Sequence, residues 1–492
     1  MLEALDRFAV EYPDRIALDS ATTSFTYKQL LAAVTTLAAE LQQTGIQALA
    51  LAADNSPAWA VADLASIKAK IPLIPVPHFF SPAQIGYLLQ QAGADALITD
   101  RSESMTALLR GLSIDHQPAQ QLSVALEMIA IETPEIELPD GCAKVTFTSG
   151  STGEPKGVCL QQSKMETVAA SLAETTGAMA EDRHLSLLPY ATLLENIGGL
   201  YAPLLVGATI VVPGMAAVGM SGASGLDIER FVMALHASRS STCIMIPQML
   251  HALIAALEQG LPRPASLRYI AVGGAPVSTH LLERAEALGL PVYEGYGLSE
   301  AASVVAVNRM GDCRPGSVGK LLPHVDIKFS EDGEILVRGA LFSGYLGDVG
   351  QTVEDYWPTG DIGYLDEDGF LFLNGRKKHI FITAFGRNVS PEWVERELSI
   401  EPAIAQCCVF GEARPFNVAV IVPRESATAE MVQLAVDAAN ARLPDYARVS
   451  QWLTANEPFS VGNGLWTGTG RPRRQQIFNA YAEKINLLYK ES

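Results

Sequence analysis

Positive charge is scarce in this chain. Lysine and arginine number 35 against 54 aspartates and glutamates, a net charge of −19 over 492 residues. So acidic a surface disfavours nucleic acid and anionic membranes as general partners, since both demand a basic face. Cysteine is sparse too: there are six, at 142, 159, 243, 313, 407 and 408. They show no CxxC and no ligand-like spacing to histidine, which excludes a disulfide framework and reads as a reducing compartment. An N-terminal apolar block is missing, because MLEALDRFAVEYPDR carries charges throughout. No signal peptide is expected, and the reading is a cytoplasmic protein. Long unbroken apolar runs are missing as well. The uncharged stretch from Ile197 to Leu226 is interrupted by Pro203, Pro213 and repeated glycines. A spanning helix of about 20 residues tolerates that poorly, so the stretch predicts buried helix, then a strand from Thr209 to Val212, then a loop.

What the chain does have is a set of short polar strings standing between apolar runs. The most particular is TSGSTGEPKGV, Thr148 to Val158. Hydroxyls flank Gly150 on both sides (Thr148, Ser149, Ser151, Thr152), and Gly153, Pro155, Lys156 and Gly157 follow. Such composition cannot continue a helix or fill a core. It suits a loop that turns N–H groups and hydroxyls toward an anion, with Lys156 as a point charge for phosphate. The lysine is followed by glycine and not by Ser/Thr, which separates the string from a Walker A loop. Its plain alternative is a solvated Ser/Gly turn.

Around this loop the chain alternates apolar runs with helical periodicity. Tyr27 opens a helix with Leu30, Val34, Leu37 and Leu41 on one face and Gly45 at its stop. Ser56-Pro57 and Ser81-Pro82 each read as helix starts between short strands. A second α/β round follows the loop, with a strand ending at Gly273-Gly274 and a strand-like run Pro291-Val292-Tyr293 ahead of Tyr296. Beyond Asn308 the texture changes to short alternating runs separated by Asp-Gly turns, predicting antiparallel sheet. The fold class expected is α/β: a large N-terminal domain of α/β subdomains with a small β-rich subdomain, then a small mobile α+β C-terminal domain. At this length two or more domains are anticipated.

The Thr148–Val158 string closely resembles the phosphate-binding loop of the adenylate-forming superfamily, which includes acyl-CoA synthetases, peptide-synthetase adenylation domains and luciferases. Further strings resemble that superfamily's signatures, in its order, over essentially the whole chain. In YGLSE, the resemblance implies that Tyr296 offers a face to adenine beside Gly297. It likewise implies that Ser299 offers a hydroxyl to the α-phosphate, and that Glu300 is the Mg²⁺ ligand. The GGAP string (Gly273, Gly274, Ala275, Pro276) resembles a wall of the adenosine pocket. In WPTGDIG, Asp361 falls where the family's aspartate accepts the ribose hydroxyls, and Arg376 of GRKK would close on the ribose from the other side. Lys378 falls at the family's hinge. The resemblance thus implies a large AMP-binding domain over 1–375, a hinge over 376–379 and a small domain over 380–492. Gly386 would let a pantetheine arm pass close to the backbone.

Two positions depart from the pattern. Thr192 stands where fatty acyl and aryl members often place a gating histidine or aromatic. Arg471, in NGLWTGTGRPRRQQI, stands where the family's lysine bridges carboxylate and α-phosphate, and a planar guanidinium is no equivalent of a compact ammonium. The segment Leu187 to Pro213 is apolar, with no aspartate placed for an amino acid's ammonium. That favours a fatty or other apolar carboxylic acid. The expected reaction is ATP- and Mg²⁺-dependent formation of an acyl-adenylate, followed by transfer to a thiol, with CoA as the first expectation. The phosphopantetheine arm of an acyl carrier protein is the alternative acceptor. A non-catalytic nucleotide-binding homologue is the alternative that Arg471 leaves open.

Overall fold

The computed structural model describes residues 1–148, 155–221, 225–348, 355–467 and 470–490. The helix expected at Tyr27 runs Tyr27–Thr44. Thr26 accepts from the Gln29 N–H, the Gln29 side chain returns a bond to the Thr26 N–H, and Gly45 ends the helix at φ +74°. Leu30, Val34, Leu37 and Leu41 are buried on one face. This face packs on the helix Pro57–Ala69, which is buried almost all round, Asp63 included.

Two sheets sandwich these helices. In the first, Leu49–Ala52, Leu73–Pro75, Ala96–Thr99 and Cys142–Thr148 run parallel, and Lys156–Gln161 returns antiparallel at the edge. In the second, Ile16–Asp19, Thr209–Val211, Arg183–Leu185, Thr242–Met245, Tyr269–Val272 and Val292–Tyr296 are parallel neighbours in that spatial order. Their central strands read as continuous apolar runs because helices cover both faces. A single apolar core joins Leu49 and Leu73 of one sheet to Leu18 and Ile210 of the other through the helices between them.

The uncharged stretch differs in detail from the single buried helix expected. It holds a π-turn, Asn196–Tyr201, followed by a short helix, Ala202–Val206, that Gly207 terminates before the strand Thr209–Val211. Among the described residues no helix is long and apolar enough to cross a membrane. The antiparallel texture predicted after Asn308 is a four-stranded sheet, Asp326–Phe329, Glu334–Arg338, Trp357–Leu365 and Leu371–Arg376. The C-terminal part sets Ile404–Phe410, Asn417–Pro423 and Val449–Thr454 against the helices Pro391–Ser399, Ala429–Ala441 and Arg474–Leu488. Cys407 and Cys408 are buried there. Ser390 occupies the cap position of the helix Pro391–Ser399, but its hydroxyl donates to Glu392 Oε2 at 3.2 Å and makes no cap bond. The bond to the carboxylate orients the hydroxyl toward Glu392.

Parallel sheets present ligand-binding loops at the carboxyl ends of their strands. Here Gly273–Ala275 follow the strand Tyr269–Val272, and Gly297–Glu300 follow Val292–Tyr296. These loops meet the end of the four-stranded sheet and the C-terminal part around one cleft of about 4000 Å³.

Candidate active site

At the base of the cleft lies one carboxylate. Asp361, on the strand Trp357–Leu365, is the direct cross-strand partner of Arg376. Arg376 Nε lies 2.9 Å from Asp361 Oδ1, and the Tyr296 hydroxyl donates to Oδ2 at 2.5 Å. Burial pushes the Asp361 pKa up, while Arg376 and the Tyr296 hydroxyl pull it down. Burial and the neighbouring Asp361 charge hold the Tyr296 phenol well above its ordinary range, so it stays a donor. Arg376 is steadied from behind by its bond to the Thr359 carbonyl, 2.9 Å. Each Asp361 oxygen keeps a second lone pair, which suits it to a vicinal diol. Gly273 lies close against the strand carrying Tyr296, since a Cβ there would sit 3.2 Å from the Gly295 carbonyl oxygen. Gly297 is required sterically, because a Cβ would collide with the Ser303 carbonyl.

The anion loop meets a second cluster. Ser149, Gly150, Ser151, Thr152 and Gly153 lie outside the described residues, but both ends of the loop are placed. Thr148 and Lys156 are cross-strand partners. Lys156 Nζ stands 5.0 Å from the centre of the Tyr345 ring, and the Tyr345 hydroxyl donates to Glu300 Oε1 at 2.7 Å. Tyr345 therefore couples the lysine of the loop to the carboxylate of YGLSE. Ser299 and Glu300 share one 3-10 turn, Ser299–Ala301. The segment around Tyr345 is added alongside the loop's return strand through Ser343 N–H to the Cys159 carbonyl and Leu346 N–H to the Gly157 carbonyl. Sequence reasoning missed Tyr345. The only available signal was an aromatic in GYLGD, and nothing local says that it reaches a residue 45 positions away.

Among the described residues no cluster of three His, Cys, Asp or Glu side chains could hold a metal. The half-buried Glu300 stands alone, with one oxygen committed to Tyr345. A single hard carboxylate fits Mg²⁺, which keeps most of its shell for phosphate oxygens and water.

The C-terminal part contributes Arg471. Its Nη2 donates to the Gly274 carbonyl at 2.6 Å, across the cleft, from the loop ahead of the helix Arg474–Leu488. Crowding by the cleft walls and the Arg376 guanidinium press its pKa down, while Asp361 pulls it back up. It remains a cation, although its side chain still faces open solvent within the cleft. Two further bonds seat this part on the larger one: Ser278 Oγ to Glu397 Oε1 at 3.3 Å, and His251 Nε2 with the Ile400 carbonyl at 3.2 Å. Lys378 is exposed and has no side-chain bond among the described residues. Its neighbour Lys377 is paired with both Asp332 and Glu334. Gly386, at φ +72° in the hairpin of Phe381–Ile382 with Asn388–Val389, has open space where a side chain would be. The structure does not bring it to Asp361, Glu300 or Arg471. Thr192 lines the cleft but spends its hydroxyl on the Pro189 carbonyl at 2.6 Å.

Comparison with known proteins gives this cleft a family. Residues 5–346 match the AMP-binding enzymes and residues 378–492 the AMP-binding enzyme C-terminal domain. The chain belongs to this adenylate-forming family, and it is an enzyme of the AMP-forming acid–CoA ligase type. It is 26% identical to the long-chain-fatty-acid–CoA ligase FadD15 of Mycobacterium bovis, over 88% of this chain and 86% of that one. Its fold is also that of the anthranilate CoA ligase AuaEII in complex with anthranoyl-AMP, at a TM-score of 0.81 and 20% identity over 97% and 96% of the two chains. The o-succinylbenzoate coenzyme A synthetase MenE of Bacillus subtilis, solved with ATP and magnesium, superimposes with a TM-score of 0.75 at 23% identity, over 96% and 98%.

The Tyr345–Glu300 bond yields a graded test. Glu300→Gln should abolish most acid-dependent pyrophosphate exchange. Tyr345→Phe should cost about tenfold, and only at limiting Mg²⁺, because it frees the carboxylate without removing it. Equal losses at all Mg²⁺ concentrations would place Tyr345 in some other role.

Proposed function

We propose that this enzyme activates an apolar carboxylic acid, in the first instance a fatty acid, as its acyl-adenylate and passes the acyl group to the thiol of CoA. The observation that carries this reading is the reach of Arg471 from the C-terminal part to Gly274, beside the Tyr296–Asp361–Arg376 cluster. A cation held at that point stands beside the nucleotide cluster, in the same cleft that Thr192 lines. The similarity to a long-chain-fatty-acid–CoA ligase supports the fatty acid over the aromatic acids that related folds take.

In the first half-reaction a carboxylate oxygen attacks the α-phosphorus of ATP, and pyrophosphate leaves. Asp361 and Arg376 hold the ribose, and Tyr296 and the Gly273–Ala275 turn take the base. Arg471 offsets negative charge where carboxylate and α-phosphate approach each other. Mg²⁺, when bound beside Glu300, supplies charge neutralisation on the phosphates. The chain provides no covalent nucleophile; it supplies position and charge, as phosphoryl-type displacements require. In the second half-reaction the thiol sulfur attacks the acyl carbonyl, the C–O bond to phosphate breaks, and AMP departs. Gly386 stands away from the nucleotide cluster, so the C-terminal part has to turn before that loop takes part. Lys378, with no side-chain bond among the described residues, lies between the doubly held Lys377 and His379, which is bonded to Glu392, and is the position we assign to the pivot.

Pyrophosphate exchange over a panel of carboxylic acids, followed by AMP release with CoA or with a phosphopantetheinylated carrier protein, tests the reading. Exchange with fatty acids and AMP release with CoA are expected; exchange with no acid refutes it, and release with carrier protein alone reassigns the acceptor. Arg471→Ala should lower adenylation about 10- to 150-fold, the cost of one charge-assisted contact, and leave thiolysis of supplied acyl-AMP nearly intact. An unchanged adenylation rate would remove Arg471 from the first step. Lys378→Pro should spare exchange while thioester formation falls sharply, because proline fixes φ at the pivot. Equal loss of both half-reactions would place the pivot elsewhere.

A further inference from the structure

A second charged assembly lies deep in the large domain, outside the nucleotide cluster. Lys144 sits four positions before Thr148 on the strand that carries the anion loop. Its side chain is 1% exposed, and Asp63, Asn196 and Tyr201 around it are equally buried. The ammonium has three N–H donors and uses all three: Asp63 Oδ1 at 2.6 Å, the Tyr201 hydroxyl at 2.8 Å, and Asn196 Oδ1. Tyr201 in turn donates to Asp63 Oδ2 at 2.6 Å.

Asn196 and Tyr201 are the first and last residues of the π-turn. In an α-helix, residues five apart point about 140° away from each other, since 3.6 residues complete a turn. The wider i→i+5 winding narrows that angle. With that winding both side chains reach one ammonium. The buried ion pair is not an economical way to stabilise a core, because well-packed apolar groups do as well or better. What it does supply is a definite choice between two windings of the same segment.

That choice bears on the cleft. Gly198, inside the π-turn, lines it, and a Cβ there would be 2.8 Å from Ile244 Cδ1. At Gly199 a Cβ would collide with the Glu195 carboxylate and come within 2.7 Å of His184 Nε2. The turn therefore lies flush on the strands Arg183–Leu185 and Thr242–Met245, immediately after Thr192. Rewinding it by one residue would change the wall of the cleft on its apolar side.

We propose that Lys144 is a positioning residue for acyl-chain selection: by holding Asn196 and Tyr201 it fixes the π-turn and with it the apolar wall of the cleft. The inference rests on the acyl-activating reading given above. Lys144→Met alone would strand a buried carboxylate, so the test uses the neutral pair Asp63→Asn with Lys144→Met, and separately Tyr201→Phe. Folding is checked by thermal melting, and pyrophosphate exchange is measured with straight-chain acids from acetate to palmitate. In both variants the ratio of kcat/KM between the preferred acid and its longer neighbours should shift by about fivefold or more, as a changed hydrophobic pocket discriminates methylenes. KM for ATP should stay within about twofold, because uniform nucleotide binding is untouched. Folded variants that keep the wild-type ratios overturn the proposal, and Tyr201→Phe alone decides it if the double variant does not fold. A wild-type enzyme inert to every acid instead overturns the acyl-activating reading itself.

Discussion

The site depends on one buried carboxylate. Asp361 is only 6% exposed, and a lone charge at that depth would be strongly destabilising. It is tolerated because Arg376, directly across the strand pair, and the Tyr296 hydroxyl, at the end of a parallel strand, both converge on it. The Tyr296 contact ties the four-stranded antiparallel sheet to the carboxyl edge of the large parallel one, while Arg376 closes the ion pair within the four-stranded sheet. Removing either partner would leave the charge under-compensated, and removing the Tyr296 hydroxyl would loosen that junction as well. The functional groups are thereby held by the same bonds that hold the subdomains together.

A weaker set of contacts governs the C-terminal part. Arg471 to Gly274, Ser278 to Glu397 and His251 to Ile400 are single hydrogen bonds. Each is worth only about 1 kcal/mol net, or somewhat more where a charge takes part. A small domain held so lightly can be released with its own apolar clusters intact, although Ile400 packs into a core cluster of the larger part and would have to leave it. Arg471 fits this posture: its fork reaches a backbone carbonyl while its charge remains in the cleft beside Asp361 and Arg376.

Much of the fold was legible in the sequence because its signals are local. Periodicity placed the helix Tyr27–Thr44, proline and serine marked the helices at Pro57 and Pro82, and Asp-Gly turns marked the antiparallel sheet. The strings YGLSE, TGD and GRKK were visible for the same reason, since each packs its polar residues into a few adjacent positions. Contacts between distant segments were not visible. Tyr345 meets Glu300, Lys144 meets Asp63 and Arg471 meets Gly274 across 45, 81 and 197 residues. The π-turn was read as ordinary helix because a widened turn has no local signature; its two ends are bonded to a lysine on a distant strand.

The most direct measurement of the account is calorimetric binding of a hydrolysis-resistant fatty acyl-sulfamoyl adenosine compared with AMP. A site that gathers the nucleotide cluster, Arg471 and the apolar wall around one acyl-adenylate should bind the analogue at least about 100-fold more tightly than AMP, as sites complementary to a reacting state do. Equal affinity for the two would show that the cleft holds a nucleotide and nothing more, and would contradict the account.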